Sequence, residues 1–137
     1  MAFVLDASVI LAWMLPDEHS DRAEQIIGRV VADQAFAPSL LLLEVGNALL
    51  QAQRRKRIAA STRSELLDAF TALPLMLDPI SAESMRLAGQ IAEEHALGLY
   101  DGAYVALAAS RRCGLATFDR RLVRAAGAVG VPLIEGG

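Results

Sequence analysis

The sequence predicts an α/β domain, a three-layer α/β/α sandwich around a parallel sheet of roughly five strands. Three observations lead there. Short apolar runs without polar alternation recur along the chain, the pattern of strands buried on both faces. Segments of helical length separate those runs, as the crossovers of a parallel sheet require. The chain has 137 residues, 54% of them hydrophobic. Area scaling gives it roughly 7,000 Å² of folded surface against roughly 21,000 Å² unfolded. Residues 1–137 therefore read as one continuous domain, without repeat, low-complexity tract or linker.

The elements follow in order. Residues 2–5 form the first strand, and a brief helix over 8–14 stops near Pro16. Ala23, Ile26, Ile27, Val30 and Val31 keep the spacing of an amphipathic helix. Residues 35–37 are the second strand, and Pro38-Ser39 opens a long apolar helix to about Arg57, with Ser39 as N-cap. Thr62 and Glu65 read as a capping box before Leu66, Leu67 and Phe70. Residues 75–77 make a third strand closed by Asp78-Pro79, because the residue before proline leaves the helical region. Ser81 caps a helix through about His95, and another helix spans roughly 100–112. Residues 115–116 and 131–134 supply the fourth and fifth strands.

Composition excludes several classes. A single cysteine, Cys113, leaves no disulfide scaffold or cysteine-based zinc site and suits a reducing cytosol. The start, Met1-Ala2-Phe3-Val4-Leu5-Asp6, has no basic region ahead of its apolar run, so no secretory leader is expected. Residues 40–50 are the most apolar stretch but contain Glu44 and Asn47, and no uncharged run reaches about 18 residues. A cytoplasmic protein without membrane contact is the expectation. The net charge of −3 opposes a nucleic-acid partner when taken as a sum, since such affinity comes mostly from neutralising phosphates. Placement matters more than the sum.

Most of the acids fall in loops, caps or polar faces, and Asp78 is explained by its turn. Four are different. Asp6 follows the first strand and precedes Ser8, and Asp119 lies just past the fourth strand; each is a helix cap, a ligand, or both. Asp101 opens the apolar segment 103–109 with the same two readings. Glu44 lies within Leu40-Leu41-Leu42-Leu43-Glu44-Val45, where a carboxylate is rarely buried without a partner. In a doubly wound sheet, ligands bind beyond the carboxyl ends of the strands, where strand order reverses. Four converging carboxylates raise one another's pKa, and a hard divalent cation relieves this. Mg²⁺ takes oxygen ligands, keeps several waters and needs only one or two carboxylates directly. His19 and His95 lie far apart in polar settings and read as surface residues.

At these residues the chain resembles the PIN-domain ribonucleases, specifically the VapC toxins of bacterial toxin–antitoxin pairs. The resemblance is carried by Val4-Leu5-Asp6-Ala7-Ser8, by Glu44-Val45-Gly46-Asn47-Ala48-Leu49, by residues 97–108 around Tyr100-Asp101, and by Thr117-Phe118-Asp119-Arg120-Arg121-Leu122. It covers essentially the whole chain. It implies a PIN-like fold and a Mg²⁺-dependent endoribonuclease, with Mn²⁺ as a substitute ion. By carry-over, Asp6 and Asp101 are the main metal ligands, and Glu44 and Asp119 complete a catalytic quartet directly or through water. Ser8, Asn47 and Thr117 then orient those carboxylates. The implied reaction is metal-assisted phosphodiester hydrolysis, inhibiting translation and growth. The implied partners are an RNA substrate, a second copy in a homodimer, and a VapB-like antitoxin that wraps the toxin and completes a hetero-oligomer. Gly102 departs from the family, which often has alanine there; the expectation is a slightly loosened helix start.

Twelve of the thirteen basic residues are arginines. Arg54-Arg55-Lys56-Arg57, Arg111-Arg112 and Arg120-Arg121 read either as solvated helix ends or as phosphate contacts. Arg120 and Arg121, beside Asp119, are the RNA-binding candidates. Trp13-Met14-Leu15 reads as core or as one wall of an exposed groove suited to the antitoxin. A haloacid-dehalogenase-like phosphatase fails because Ser8 stands where its second aspartate belongs. That reading and a response-regulator receiver also need a lysine near the site, and the one lysine, Lys56, lies in a basic run. A catalytically silent PIN-fold binding or scaffold module is the alternative from another class.

Overall fold

The computed structural model describes residues 1–135. Four strands, β1 (Phe3–Leu5), β2 (Ala35–Pro38), β3 (Leu75–Asp78) and β4 (Gly114–Ala116), form one parallel sheet in the order β3-β2-β1-β4. Seven helices flank it: α1 (Ala7–Met14), α2 (Asp21–Ala32), α3 (Leu41–Arg54), α4 (Ala60–Thr71), α5 (Ala82–His95), α6 (Leu99–Arg111) and α7 (Arg120–Ala128). The chain builds outward from β1 through β2 to β3, then returns to add β4 on the other side of β1. The order therefore reverses between β1 and β4, and the carboxyl ends of those two strands lead into Asp6 and Asp119.

β1, β2 and β4 are wholly buried, as strands covered on both faces must be, whereas edge strand β3 is half-exposed. Helix α6 packs against β1, β2 and β4 and contributes Tyr104 and Val105 to a core with Phe3, Ile10, Leu41, Leu115 and Leu122. Met14 and Leu15 are buried and the partly buried Trp13 packs against the core, so that segment belongs to it. No helix among the described residues is long and apolar enough to cross a membrane.

Three local expectations are corrected. Residues 131–134 are not a strand: Leu115 and Leu133 make one isolated parallel bridge, supported by Leu115 N–H to Pro132 O and Ile134 N–H to Leu115 O, each 2.9 Å. Proline at 132 removes a donor from any longer ladder. Among the described residues the sheet accordingly has four strands, not five. Ser39 does not cap α3; its N–H goes to Asp78 O at 2.9 Å and Leu40 stands at the cap without a side-chain bond. Thr62 lies inside α4, which begins at Ala60. The Ser81 cap is present, reinforced by Ser84 in a reciprocal capping box.

Gly102 does more than loosen a helix start. A Cβ there would lie 2.4 Å from Ala88 O and 3.1 Å from Ala92 Cβ. The absent side chain lets α6 cross α5 at close range, next to Asp101.

Candidate active site

Asp6 is the N-cap of α1 and Asp119 the N-cap of α7, so cap and site readings coexist at both positions. Asp101 is not a cap: Gly98 holds that place in α6, and Asp101 lies in the first turn with its carboxylate free for other work. A negative charge there also meets the positive end of the helix dipole. Glu44 lies in the first turn of α3.

Asp6 is 5% exposed. Its Oδ1 accepts from Ser8 N–H at 3.0 Å and from the Ser8 hydroxyl, and its Oδ2 accepts from the Thr117 hydroxyl. Those hydroxyls are themselves held: Phe118 N–H donates to Ser8 Oγ at 2.9 Å, and Asp119 N–H to Thr117 Oγ1 at 3.0 Å. The loop leaving β4 is thereby tied to the start of α1 through one buried carboxylate. Burial pushes the Asp6 carboxyl up to about 6, and the hydrogen bonds from Ser8 and Thr117 only partly oppose it. All of those donors are neutral.

Glu44, half-buried, accepts a hydrogen bond from the Tyr104 hydroxyl. Burial raises the Glu44 carboxyl and the nearby Asp101 charge raises it further, while the Tyr104 bond opposes both. Asp101 is also raised, by burial first; Arg121 pulls it down and Asp119 pushes it up. Asp119 alone is lowered, chiefly by its hydrogen bonds with Arg121. Three of the acids thus form a chain of repelling charges, Glu44 sensing Asp101 and Asp101 sensing Asp119, while the Tyr104 hydroxyl lies within the influence of Asp6, Glu44 and Asp101 together. As the side chains stand, no three carboxylate, imidazole or thiol groups among the described residues are gathered closely enough to hold a metal ion. The donor set still suits a hard cation that needs only one or two carboxylates and fills its remaining sites with water.

The companion residues divide. Ser8 and Thr117 orient Asp6 directly. Asn47 is exposed, one turn beyond Glu44, and none of the four carboxylates accepts a hydrogen bond from it. Arg121 bonds Asp101 and Asp119 rather than standing free on the rim, whereas Arg120 is exposed beside them. Tyr104 is the contributor that motif reading missed. The available signal was its position three residues beyond Asp101 on one helix face, together with the need of a buried tyrosine hydroxyl for a partner. Tyr104→Phe is expected to destabilise the fold by about 1–2 kcal/mol in urea denaturation, by leaving Glu44 without its donor. An unchanged midpoint would show that water replaces that bond at no cost.

The PIN domain family matches residues 3–128. The chain belongs to the PIN-domain family. Within it, the chain is 35% identical over 126 residues to Ribonuclease VapC3 of Pyrobaculum aerophilum, covering 89% of this chain and 92% of that protein. It is 33% identical over 120 residues to Ribonuclease VapC9 of Mycobacterium tuberculosis, covering 87% of each. A crystal structure of VapBC2 from Rickettsia felis, bound to a DNA fragment from their promoter, superposes with a TM-score of 0.71 over 98% of both chains. Its 16% identity carries the PIN fold only. Asp6 and Asp119 of this PIN domain sit where the strand order of its sheet reverses.

Proposed function

We propose that this PIN domain is a Mg²⁺-dependent endoribonuclease toxin of a VapBC-type module, hydrolysing RNA phosphodiester bonds and so inhibiting translation and growth. The observation that carries this reading is Asp6. A carboxylate buried at the switch point and bonded to neutral donors only is costly unless it serves a cation. The ribonuclease names of its relatives point to the same chemistry.

In this reading Asp6 and Asp101 hold Mg²⁺, or Mn²⁺ in its place, with Glu44 and Asp119 completing the centre directly or through water. A bound divalent ion supplies water activation and neutralises charge developing on the phosphate. The protein does the rest. Ser8 and Thr117 fix the orientation of Asp6, the Tyr104 hydroxyl holds Glu44, and the exposed Arg120 offers a phosphate contact beside Asp119.

A protein partner is supported by exposed apolar surface. Ile80, Met85, Leu87, Leu99 and Tyr100 are each more than 40% exposed, and with Leu40 and Leu107 they line a groove between β3, α5 and α6 that reaches the residue beside Asp101. A VapB-like antitoxin and a second copy of the chain are the partners proposed. Purified protein is expected to cleave single-stranded RNA with Mg²⁺, to lose that activity in EDTA and to regain it when Mg²⁺ is returned. RNA left intact under all three conditions would mark a silent PIN module.

A further inference from the structure

Arg121 occupies the place in the acidic centre where positive charge is needed. Its Nη2 donates to Asp119 Oδ2 at 3.1 Å and to Asp101 Oδ2 at 3.3 Å, and its Nε lies 3.4 Å from Asp119 Oδ1. No other arginine or lysine pairs with any of the four acids among the described residues. The guanidinium thus bridges the two helices, α6 and α7, whose acids repel each other.

The bridge is not locked by packing. The Arg121 side chain is 57% exposed, and it borders an open notch lined by His95, Ala96, Arg124, Ala125 and Ala128. Space for another rotamer therefore lies next to the site. A forked guanidinium and a hard cation seek the same carboxylate oxygens, and an oxygen committed to one is less available to the other.

We propose that Arg121 is a built-in counter-ion of the acidic centre, competing with a divalent ion for Asp101 and Asp119 and withdrawing toward the neighbouring notch when that ion binds. This rests on the metal reading above. It makes Arg121 a positioning residue: without metal it holds α6 and α7 together against carboxylate repulsion, and it sets the metal affinity below what the bare acids would give.

The test is Mn²⁺ binding to the full chain without RNA, read from the free-Mn²⁺ electron paramagnetic resonance signal. Arg121→Ala is expected to tighten the Kd about five- to tenfold, in line with removal of a cation within bonding distance of the ligands. Arg121→Lys, which keeps the charge, stays within about twofold of the parent. So does Arg54→Ala, which makes the same change in net charge at the far end of α3 from Glu44. Metal-free Arg121→Ala also melts lower than the parent but gains more on adding Mn²⁺, a split that a purely structural role would not produce. Arg121→Gln carries the same expectations should the alanine variant fail to fold. An unchanged or weaker Kd in the neutral variants overturns the counter-ion, as does equal tightening in Arg54→Ala. Mn²⁺ binding by none of the proteins, the parent included, overturns the metal reading along with it.

Discussion

Asp6→Asn is expected to slow RNA cleavage by about a thousandfold or more while the fold survives, since even groups that merely orient a metal ligand are worth 10–100-fold. The amide is nearly the same size and keeps an oxygen for the Ser8 N–H, and the two hydroxyls can turn to accept as well as donate. Stability should move the other way. The Asp6 carboxyl is raised from 3.8 to about 6 in the fold, so the folded chain holds a proton that the unfolded chain releases. The stability associated with that proton is complete below about pH 4 and is lost as pH rises through about 6. Ionised Asp6 thus costs on the order of 3 kcal/mol at most at neutral pH, with the opposing hydroxyl bonds already included in that shift. Glu44 and Asp101 are shifted in the same direction and add to the trend, while Asp119 is shifted the opposite way and matters only at lower pH. In EDTA, the parent is expected to melt several degrees lower at pH 7.5 than at pH 5, and Asp6→Asn to melt above the parent at pH 7.5 with a flatter profile. Cleavage at the parental rate would remove Asp6 from the centre. A variant melting below the parent at pH 7.5 would show that its hydrogen bonds outweigh its desolvation.

Gly102→Ala is expected to destabilise the chain although alanine is the better helix former. The helix-propensity gain is about 1 kcal/mol. Against it, the new Cβ would lie 2.4 Å from Ala88 O and 3.2 Å from Ala92 N, and these are backbone atoms that cannot rotate aside. Overpacking of this kind costs about 1–3 kcal/mol, occasionally more, and a rigid backbone oxygen puts this clash toward the upper end, so it wins by up to about 2 kcal/mol, and Gly102→Val loses more. Because Asp101 precedes Gly102, any parting of α5 and α6 also moves a candidate ligand, and cleavage should fall with stability. Urea denaturation decides the first point: a Gly102→Ala chain as stable as the parent would mean that α5 shifts freely, and that the close crossing is incidental.

How much of this was legible in the chain depends on the range of the interaction concerned. The parallel sheet was readable because strands buried on both faces leave continuous apolar runs, and the Ser81 cap because its partner Ser84 is three residues away. Ser39 and Thr62 looked like caps by residue type alone. A cap requires the backbone to leave the helix at that point, and here α3 and α4 start elsewhere. The fifth strand failed for a related reason: residues 131–134 meet β4 at only one bridge.

The sequence by itself determined that the chain is an α/β domain, that Asp6 and Asp119 follow strand ends, and that Glu44 and Asp101 are misplaced as ordinary surface charges. These are local properties of hydropathy and spacing. Only the tertiary structure decided that Tyr104 reaches Glu44 from sixty positions away, that Ser8 in α1 and Thr117 after β4 share Asp6, and that Arg121 turns inward to two acids instead of outward. Those contacts depend on how α3, α6 and α7 pack around the β1–β4 switch point. Side-chain partners brought together by packing leave no periodicity in the chain. The formal charge of −3 is a property of the sequence; that four of its carboxylates share one end of the sheet is a property of the fold.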